Sequence, residues 1–282
     1  MAQIIDGKKI STQIKDEVKE QVAALKQKGI DVTLAVIQIG KDPASTVYVG
    51  NKKKACEYVG IRSLAYELPE ETSEQELLEL VQSLNAKEDV DGILVQLPLP
   101  KHIDEDKVIR TISPDKDVDG FHPESVGRLS IGQPGFVSCT PAGIIQLLKR
   151  SGITIDGKEC VIIGRSNIVG KPMGMLLLRE NGMVTICHSH TPDLKTVAKR
   201  ADILVVAIGK AKFVDASYVK DGAAVIDVGM DRDENGKLCG DVDFASVEPV
   251  AGAITPVPGG VGPMTIAMLM NNCVESAQRK HC

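Results

Sequence analysis

Short apolar runs alternate along this chain with longer stretches in which apolar residues recur every three or four positions. From Gly7 to Lys28, the side chains of Ile10, Ile14, Val18, Val22 and Leu25 mark one face of a helix, and Gly29 supplies its stop. Thr33 to Ile39 is short and rich in branched residues, the pattern of a strand buried on both faces. Asp42 to Gly60 reads as a second helix, with capping side chains and a proline in Asp42-Pro43-Ala44-Ser45 and a left-handed end at Gly60. Ile61 to Leu68 predicts a strand, Glu74 to Asn85 a helix carrying Leu77, Leu80, Val81 and Leu84 inward, and Gly92 to Leu97 another strand. Strand and helix in alternation predict a mainly parallel sheet.

A fresh unit begins near Thr140, where Thr140 to Leu148 reads as a capped helix with proline in its first turn. Glu159 to Ile163 predicts a buried strand, followed by the glycine turn Gly164 to Pro172 and a helix through Leu178. Strands are expected at Met183 to His188, at Asp202 to Ile208 ending in Gly209, and at Ala223 to Val228 ending in Gly229. Ile266 to Gln278 reads as the final helix.

At 282 residues the chain is long enough for two domains with filled cores. A formal net charge of −5, no basic block and 3% aromatic residues argue against a nucleic-acid surface, so an anionic ligand must be met by local positive charge. No apolar run is long enough to span a bilayer, and Met1 to Asp6 lacks the sections of a signal peptide, which points to the cytoplasm. Cys56, Cys139, Cys160, Cys187, Cys239, Cys273 and Cys282 are scattered, odd in number and without a paired C-x-x-C, so reduced thiols are expected rather than disulfides or a zinc site.

Candidate chemistry concentrates on the Asp42 to Gly60 helix. At 100° per residue, Val49, Ala55, Cys56 and Val59 share a face with Tyr48, and Lys52 falls in its middle, whereas Lys53 and Lys54 point away as a solvated face does. A lysine with apolar neighbours is either snorkelling to the rim or held with a lowered pKa for proton transfer, and Tyr48 one turn earlier favours a site. Gln96 ends a strand that Pro98 and Pro100 cannot continue. Ligands bind at that carboxyl edge in open parallel sheets, so Gln96 either faces the Tyr48 helix across a crevice or bonds loop backbone. The acidic turns from Pro114 to Pro123 read as solvated turn formers, with metal binding the weaker option because the spacing matches no EF-hand.

In the second half, strand, glycine turn and helix form the context of a dinucleotide site, although the spacing after Gly164 is not G-x-G-x-x-G. The glycine-ended strands that follow strengthen this reading, since glycine lets backbone approach a ligand. About twenty residues past Gly164, where an NAD site places an acid, the chain has Cys187-His188-Ser189-His190. Arg165, Ser189 and His190 suit a 2′-phosphate instead, so the cofactor expected is NADP. The glycines and prolines of Thr255 to Thr265 make either a rigid wall for a flat ligand or a hinge.

Five ordered stretches together resemble the bifunctional methylenetetrahydrofolate dehydrogenase/cyclohydrolase family over essentially the whole chain. They are Tyr48-Val49-x-x-Lys52-x-Lys54-Ala55, Gly92 to Pro100, Lys116-Asp117-Val118-Asp119-Gly120, Gly164-Arg165-Ser166 with Val169-Gly170-x-Pro172, and Pro258 to Thr265. The resemblance implies two α/β domains: a folate-binding catalytic one at 1–139, completed by 264–282 as the C-terminal helix returns to it, and a Rossmann-like parallel sheet binding NADP at 140–263. It further implies a homodimer, tetrahydrofolate derivatives as substrates in a cleft between domains, and no metal. Carried over by motif, Lys52 is the catalytic lysine, Tyr48 packs on and orients the substrate, Gln96 bonds and tunes Lys52, and Asp119 holds the pterin. Leu97, Pro98, Pro258, Gly259, Gly260 and Val261 border the folate. Gly164, Arg165, Ser166, Ser189, His190, Gly209, Gly229 and Met230 border the cofactor. The implied reactions are oxidation of 5,10-methylenetetrahydrofolate to the methenyl cation and its hydrolysis to 10-formyltetrahydrofolate; a dehydrogenase alone and a silent folate-binding protein are the alternatives. The chain departs from the family pattern at His190, where Lys or Arg is usual, and at Ser125, where Asn is usual.

Overall fold

The computed structural model describes residues 1–281, less the side chains of residues 43 and 44; Cys282, expected as a reduced thiol, lies outside the described residues. In chain order the elements are β1 (Gln3–Ile4), α1 (Gly7–Gln27), β2 (Thr33–Ile39), α2 (Pro43–Val59), β3 (Arg62–Leu68), α3 (Glu74–Ala86), β4 (Gly92–Val95), α4 (Glu105–Thr111), α5 (Pro123–Ser130) and α6 (Cys139–Arg150). They continue with β5 (Glu159–Ile163), α7 (Gly170–Arg179), β6 (Met183–Cys187), α8 (Leu194–Ala198), β7 (Ile203–Val206), β8 (Ala224–Asp227), β9 (Asp231–Arg232), β10 (Leu238–Cys239), α9 (Phe244–Val247), β11 (Ala253–Ile254) and α10 (Val261–His281).

The chain divides into two compact units, one made of residues 12–137 with the chain from Ile266 onward, the other of Met1–Ser11 with Ser138–Thr265. In the first, β3, β2 and β4 form a parallel sheet in that order. All of β2 is buried, as its run of branched residues requires of a central strand. The amphipathic faces then cover the sheet. Leu77, Val81 and Leu84 of α3 are fully buried against Ile37, Ile93 and Val95, each contributing roughly 1.5–3 kcal/mol of apolar transfer. A capping box between Ser73 and Glu76 fixes where α3 starts. Helices α4 and α5 went unforeseen because each is short and offers too few turns for its period to show; their signals were the caps Asp104 and His122.

The second unit is a six-stranded parallel sheet ordered β1-β11-β8-β7-β5-β6. Residues 1–11 had been expected with the first domain. They belong instead to this unit, because Gln3 and Ile5 donate backbone N–H bonds to Gly252 O and Ile254 O, both at 2.9 Å, which adds β1 in parallel to β11. The long helix α10 starts at Val261, five residues before its apolar period becomes clear, and reaches the first unit at Ile266. There its Met270 and Cys273 are buried, with Met270 Sδ 3.6 Å from Cys56 Sγ.

Candidate active site

Helix α2 is built as its sequence prescribes. Asp42 Oδ1 accepts from Ser45 N at 2.8 Å, Pro43 stands in the first turn, and Gly60 closes the helix at φ 85°. Gln38 ties its first turn to the carboxyl end of β2 by donating to Thr46 Oγ1 at 3.0 Å. The predicted face is the buried one, holding Val49, Ala55, Cys56 and Val59, while Lys53 and Lys54 are exposed. Burial pushes the Cys56 thiol up to about 12, which marks it as a packing group rather than a nucleophile.

Lys52 sits in this face at only 6% exposure, so snorkelling to the rim does not describe it. Its Nζ donates to Gln96 Oε1 at 2.9 Å. Strand β4 stops at Val95, and the amide of Gln96 is aimed by a second bond, Nε2 to Leu97 O at 2.6 Å. Gln96 thus serves both readings at once, bonding loop backbone and meeting α2. Tyr48 lies one turn before Lys52, half-buried, and burial raises its phenol above the usual range. The Leu97–Pro98 bond is cis.

Asp119 is half-buried in the loop after α4. The loop is held by groups that local pattern reading did not single out. Asp117, 2% exposed, accepts from Phe121 N at 3.2 Å, His122 N at 2.9 Å and Ser125 Oγ at 2.7 Å, and its burial pushes the carboxyl up to about 6 against those bonds. Ser125, the residue that departs from the family pattern, is therefore a donor that an asparagine amide would also supply. Lys116 Nζ caps the carbonyls of Leu84, Asn85 and Lys87 at the end of α3. On α10, Asn272 donates to Val118 O and Val137 O, and Ser276 to Asp91 O and Asp115 O. Two polar residues four apart on the buried face of a helix were the available signal.

The expected cofactor residues all lie in the other unit, in turns that leave the carboxyl ends of its strands. The strand order reverses its direction of growth at β5, whose neighbours are β6 and β7, and an open parallel sheet receives ligands at such a point. Gly164 has φ 133° and a Cβ there would meet Ala207 O at 2.2 Å; a Cβ on Gly170 would meet Gly164 O at 2.3 Å. These glycines let the β5 turn close onto the start of α7. Ser166 Oγ accepts from Val169 N at 3.1 Å and so caps that turn. Arg165 is exposed beside it, and Ser189 and His190 are exposed in the turn after β6, the strand paired directly with β5. Guanidinium, hydroxyl and imidazole with no carboxylate form a donor set that fits a 2′-phosphate. His190 N donates to His188 Nδ1 at 3.1 Å, which fixes the turn. Gly209 takes φ 64°.

Pro258, Gly259, Gly260 and Val261 also lie in this second unit, whereas Lys52, Tyr48, Gln96 and Asp119 lie in the first. The start of α1 shapes the loop: Lys8 N donates to Gly259 O at 3.0 Å, and a Cβ on Gly7 would meet Gly260 O at 1.8 Å. Among the described residues no group of three or more His, Cys, Asp or Glu is placed to hold a metal, and no helix is long and apolar enough to cross a membrane.

Residues 5–119 match the tetrahydrofolate dehydrogenase/cyclohydrolase catalytic domain, and residues 138–281 match the NAD(P)-binding domain of the same name. The chain belongs to the tetrahydrofolate dehydrogenase/cyclohydrolase family. A relative from Lachnoclostridium phytofermentans, the bifunctional protein FolD, is 74% identical over 99% of both chains. The crystal structure of the bifunctional FolD enzyme from Campylobacter jejuni, 50% identical, superposes with a TM-score of 0.97 over 99% of both chains. The Trypanosoma brucei dehydrogenase-cyclohydrolase, solved with NADP and an inhibitor, is 40% identical with a TM-score of 0.94, covering 99% of this chain and 98% of that one.

Proposed function

We infer that this member of the family oxidises 5,10-methylenetetrahydrofolate with NADP and then hydrolyses the methenyl product to 10-formyltetrahydrofolate, with Lys52 as the proton-transfer group of the second step. The observation that carries this reading is the buried Lys52 Nζ held 2.9 Å from Gln96 Oε1. NADP, when bound, accepts the hydride. Departure of hydride leaves a cation that adjacent nitrogen lone pairs already stabilise, so the first step asks the protein mainly for orientation. Tyr48, Leu97 and Pro98 supply surfaces for the folate rings, as do Pro258, Gly259, Gly260 and Val261, and Asp119 accepts hydrogen bonds from the pterin. Adding water to the methenyl carbon and opening the ring requires a proton to leave the water and another to reach the departing nitrogen. Lys52 can carry both, because Gln96 occupies one position around Nζ and fixes where the others point.

Gly164, Arg165, Ser166, Ser189, His190, Gly209, Gly229 and Met230 receive the cofactor, with Arg165, Ser189 and His190 on the 2′-phosphate. The enzyme acts in the cytoplasm, a reducing compartment that suits the free thiols Cys56, Cys139, Cys160, Cys187, Cys239 and Cys273. It works as a homodimer; β6 ends its sheet with an open edge, near which Leu178 and Met183 are exposed. The test is a coupled absorbance assay that follows NADPH and the methenyl cation together. Lys52→Met should abolish hydrolysis, leave part of the dehydrogenase activity, and make the methenyl product persist. Lys54→Met should change neither activity, since Lys54 is exposed off the site face. Equal loss of both activities in Lys52→Met, with folate binding intact, would remove Lys52 from this role.

A further inference from the structure

Two carboxylates that no step above uses are buried beneath the glycine turns of the sheet edge. Asp227, at the end of β8 and 3% exposed, accepts from Gly229 N and Asp241 N through Oδ1, each at 2.9 Å, and from Val242 N through Oδ2 at 3.0 Å. Its own N–H donates to Thr255 Oγ1 at 2.8 Å. Asp241, 0% exposed, spans the turn after β7: Oδ2 accepts from Ile208 N at 2.7 Å and Oδ1 from Lys210 N at 2.6 Å. Thus Asp227 holds the backbone of Asp241, and the side chain of Asp241 holds Ile208-Gly209-Lys210. The glycines around the pair are there for the carboxylates. A Cβ on Gly240 would lie 2.0 Å from Asp227 Oδ2, and one on Gly229 would lie 2.4 Å from Asp241 N.

We propose that Asp227 and Asp241 are positioning residues for the dinucleotide: a relay of two carboxylates that sets the turns at Ile208-Gly209-Lys210 and Val228-Gly229-Met230 in one fixed relation. The proposal rests on the reading that these turns receive the cofactor. No partner in this network is a cationic side chain; each of the four carboxylate oxygens accepts from at least one backbone N–H, so each has a defined donor. Charge around the pair is chiefly negative. Asp231, in contact with Asp241, is raised by burial and by that neighbour, and its buried Oδ2 has no hydrogen-bond partner, which a proton on Asp231 itself would ease. Asp233 and Cys239 stand nearby, and Lys212, paired to Asp233 at 3.4 Å, is the cation that acts on Cys239. Burial moves Asp227 up to about 7, so its bond from Val242 N is exposed to loss by protonation near neutral pH, and with it the seat of Asp241.

The test uses Asp241→Asn and Asp227→Asn in the full chain, with NADP binding measured by fluorescence titration and amide hydrogen exchange recorded with and without cofactor. An amide places an NH2 against an N–H donor in either site, so exchange at residues 208–210 should speed up in both variants while the spectrum of the folded protein is kept. NADP affinity should fall about tenfold or more, the scale of one lost bond to a charged acceptor. Folate binding should be unchanged. Wild-type affinity should fall relative to that of Asp227→Asn as pH drops through about 7, because only the wild type has this carboxylate to protonate. If NADP protects residues 208–210 and 228–230 in the wild type yet both variants bind it as tightly at every pH, the relay is overturned. If NADP gives no such protection in the wild type, the cofactor assignment of those turns fails, and the proposal with it. A variant that does not fold is replaced by Asp241→Glu, whose extra methylene misplaces the same charge; unchanged affinity there also overturns the proposal.

Discussion

The sharpest physical prediction concerns Asp117, whose folded carboxyl lies at about 6 against 3.8 for the unconstrained group. Between roughly pH 4 and 6 the folded protein holds a proton on Asp117 that the unfolded chain has lost, so stability from this group is present at the acidic end and falls as pH rises through that window. The rise from 3.8 to about 6, at 1.36 kcal/mol per pH unit, gives an upper figure of about 3 kcal/mol, and at 2% exposure there is little solvent to screen it. Asp117→Asn removes the titration. Its amide oxygen can take the place of Oδ2 and accept from His122 N and Ser125 Oγ, leaving the NH2 against Phe121 N, which makes the longest of the three bonds at 3.2 Å. That single mismatch costs about 1 kcal/mol at any pH. The two curves should therefore cross near pH 4.5: the variant less stable by about 1 kcal/mol near pH 3, below the unfolded pKa, and more stable by about 1–2 kcal/mol near pH 8. Urea titration followed by tyrosine fluorescence reads the relevant unit, since Tyr48, Tyr58 and Tyr66 lie in it, Tyr218 alone lies in the other, and there is no tryptophan. A variant destabilised by the same amount at both pH values would refute the argument, for it would mean that Asp117 is charged in the folded protein throughout.

Asp119→Ala should weaken folate binding and lower both activities while a chelator leaves the wild type unaffected; loss of activity on chelation, restored by a divalent ion, would favour a metal instead. His190→Lys should tighten NADP binding several-fold at neutral pH and leave NAD binding nearly unchanged, because lysine keeps its charge where an ordinary imidazole is mostly neutral. Parallel changes for NAD and NADP on titration would take His190 away from the phosphate and leave Arg165 as the discriminating charge.

Much of the site was legible because one helix carries it. The period of α2, its cap at Asp42 and its stop at Gly60 are local properties, and together they place Lys52 among apolar neighbours without knowledge of the rest of the fold. Gln96 was legible for a similar reason: proline ends its strand, and a strand end in a parallel sheet has a defined edge. What stayed hidden depends on contacts distant in sequence. Residues 1–11 look like a lead-in to α1 until β11 exists to pair with them, in the parallel register Gln3 to Ala253 and Ile4 to Ile254, 250 residues further along the chain. Asp117 and Asp119 are indistinguishable as members of an acidic turn, yet burial separates them: Asp117 is enclosed and organises the loop, whereas Asp119 is half-buried.

Glycine shows the same limit most clearly. Gly209 and Gly229 both follow a strand, and sequence offers one reason for both, the approach of a ligand to bare backbone. The structure divides them. Gly209 takes a left-handed φ of 64° with no protein atom within 4 Å of a built Cβ, so the turn geometry by itself calls for glycine there. Gly229 has no such φ, and its missing side chain makes room for the backbone and carboxylate of Asp241, twelve residues later. A substitution at each would therefore fail for different reasons: at Gly209 through backbone strain in the turn, at Gly229 by driving Asp241 off the amides of Ile208 and Lys210 and so displacing the neighbouring turn from a distance.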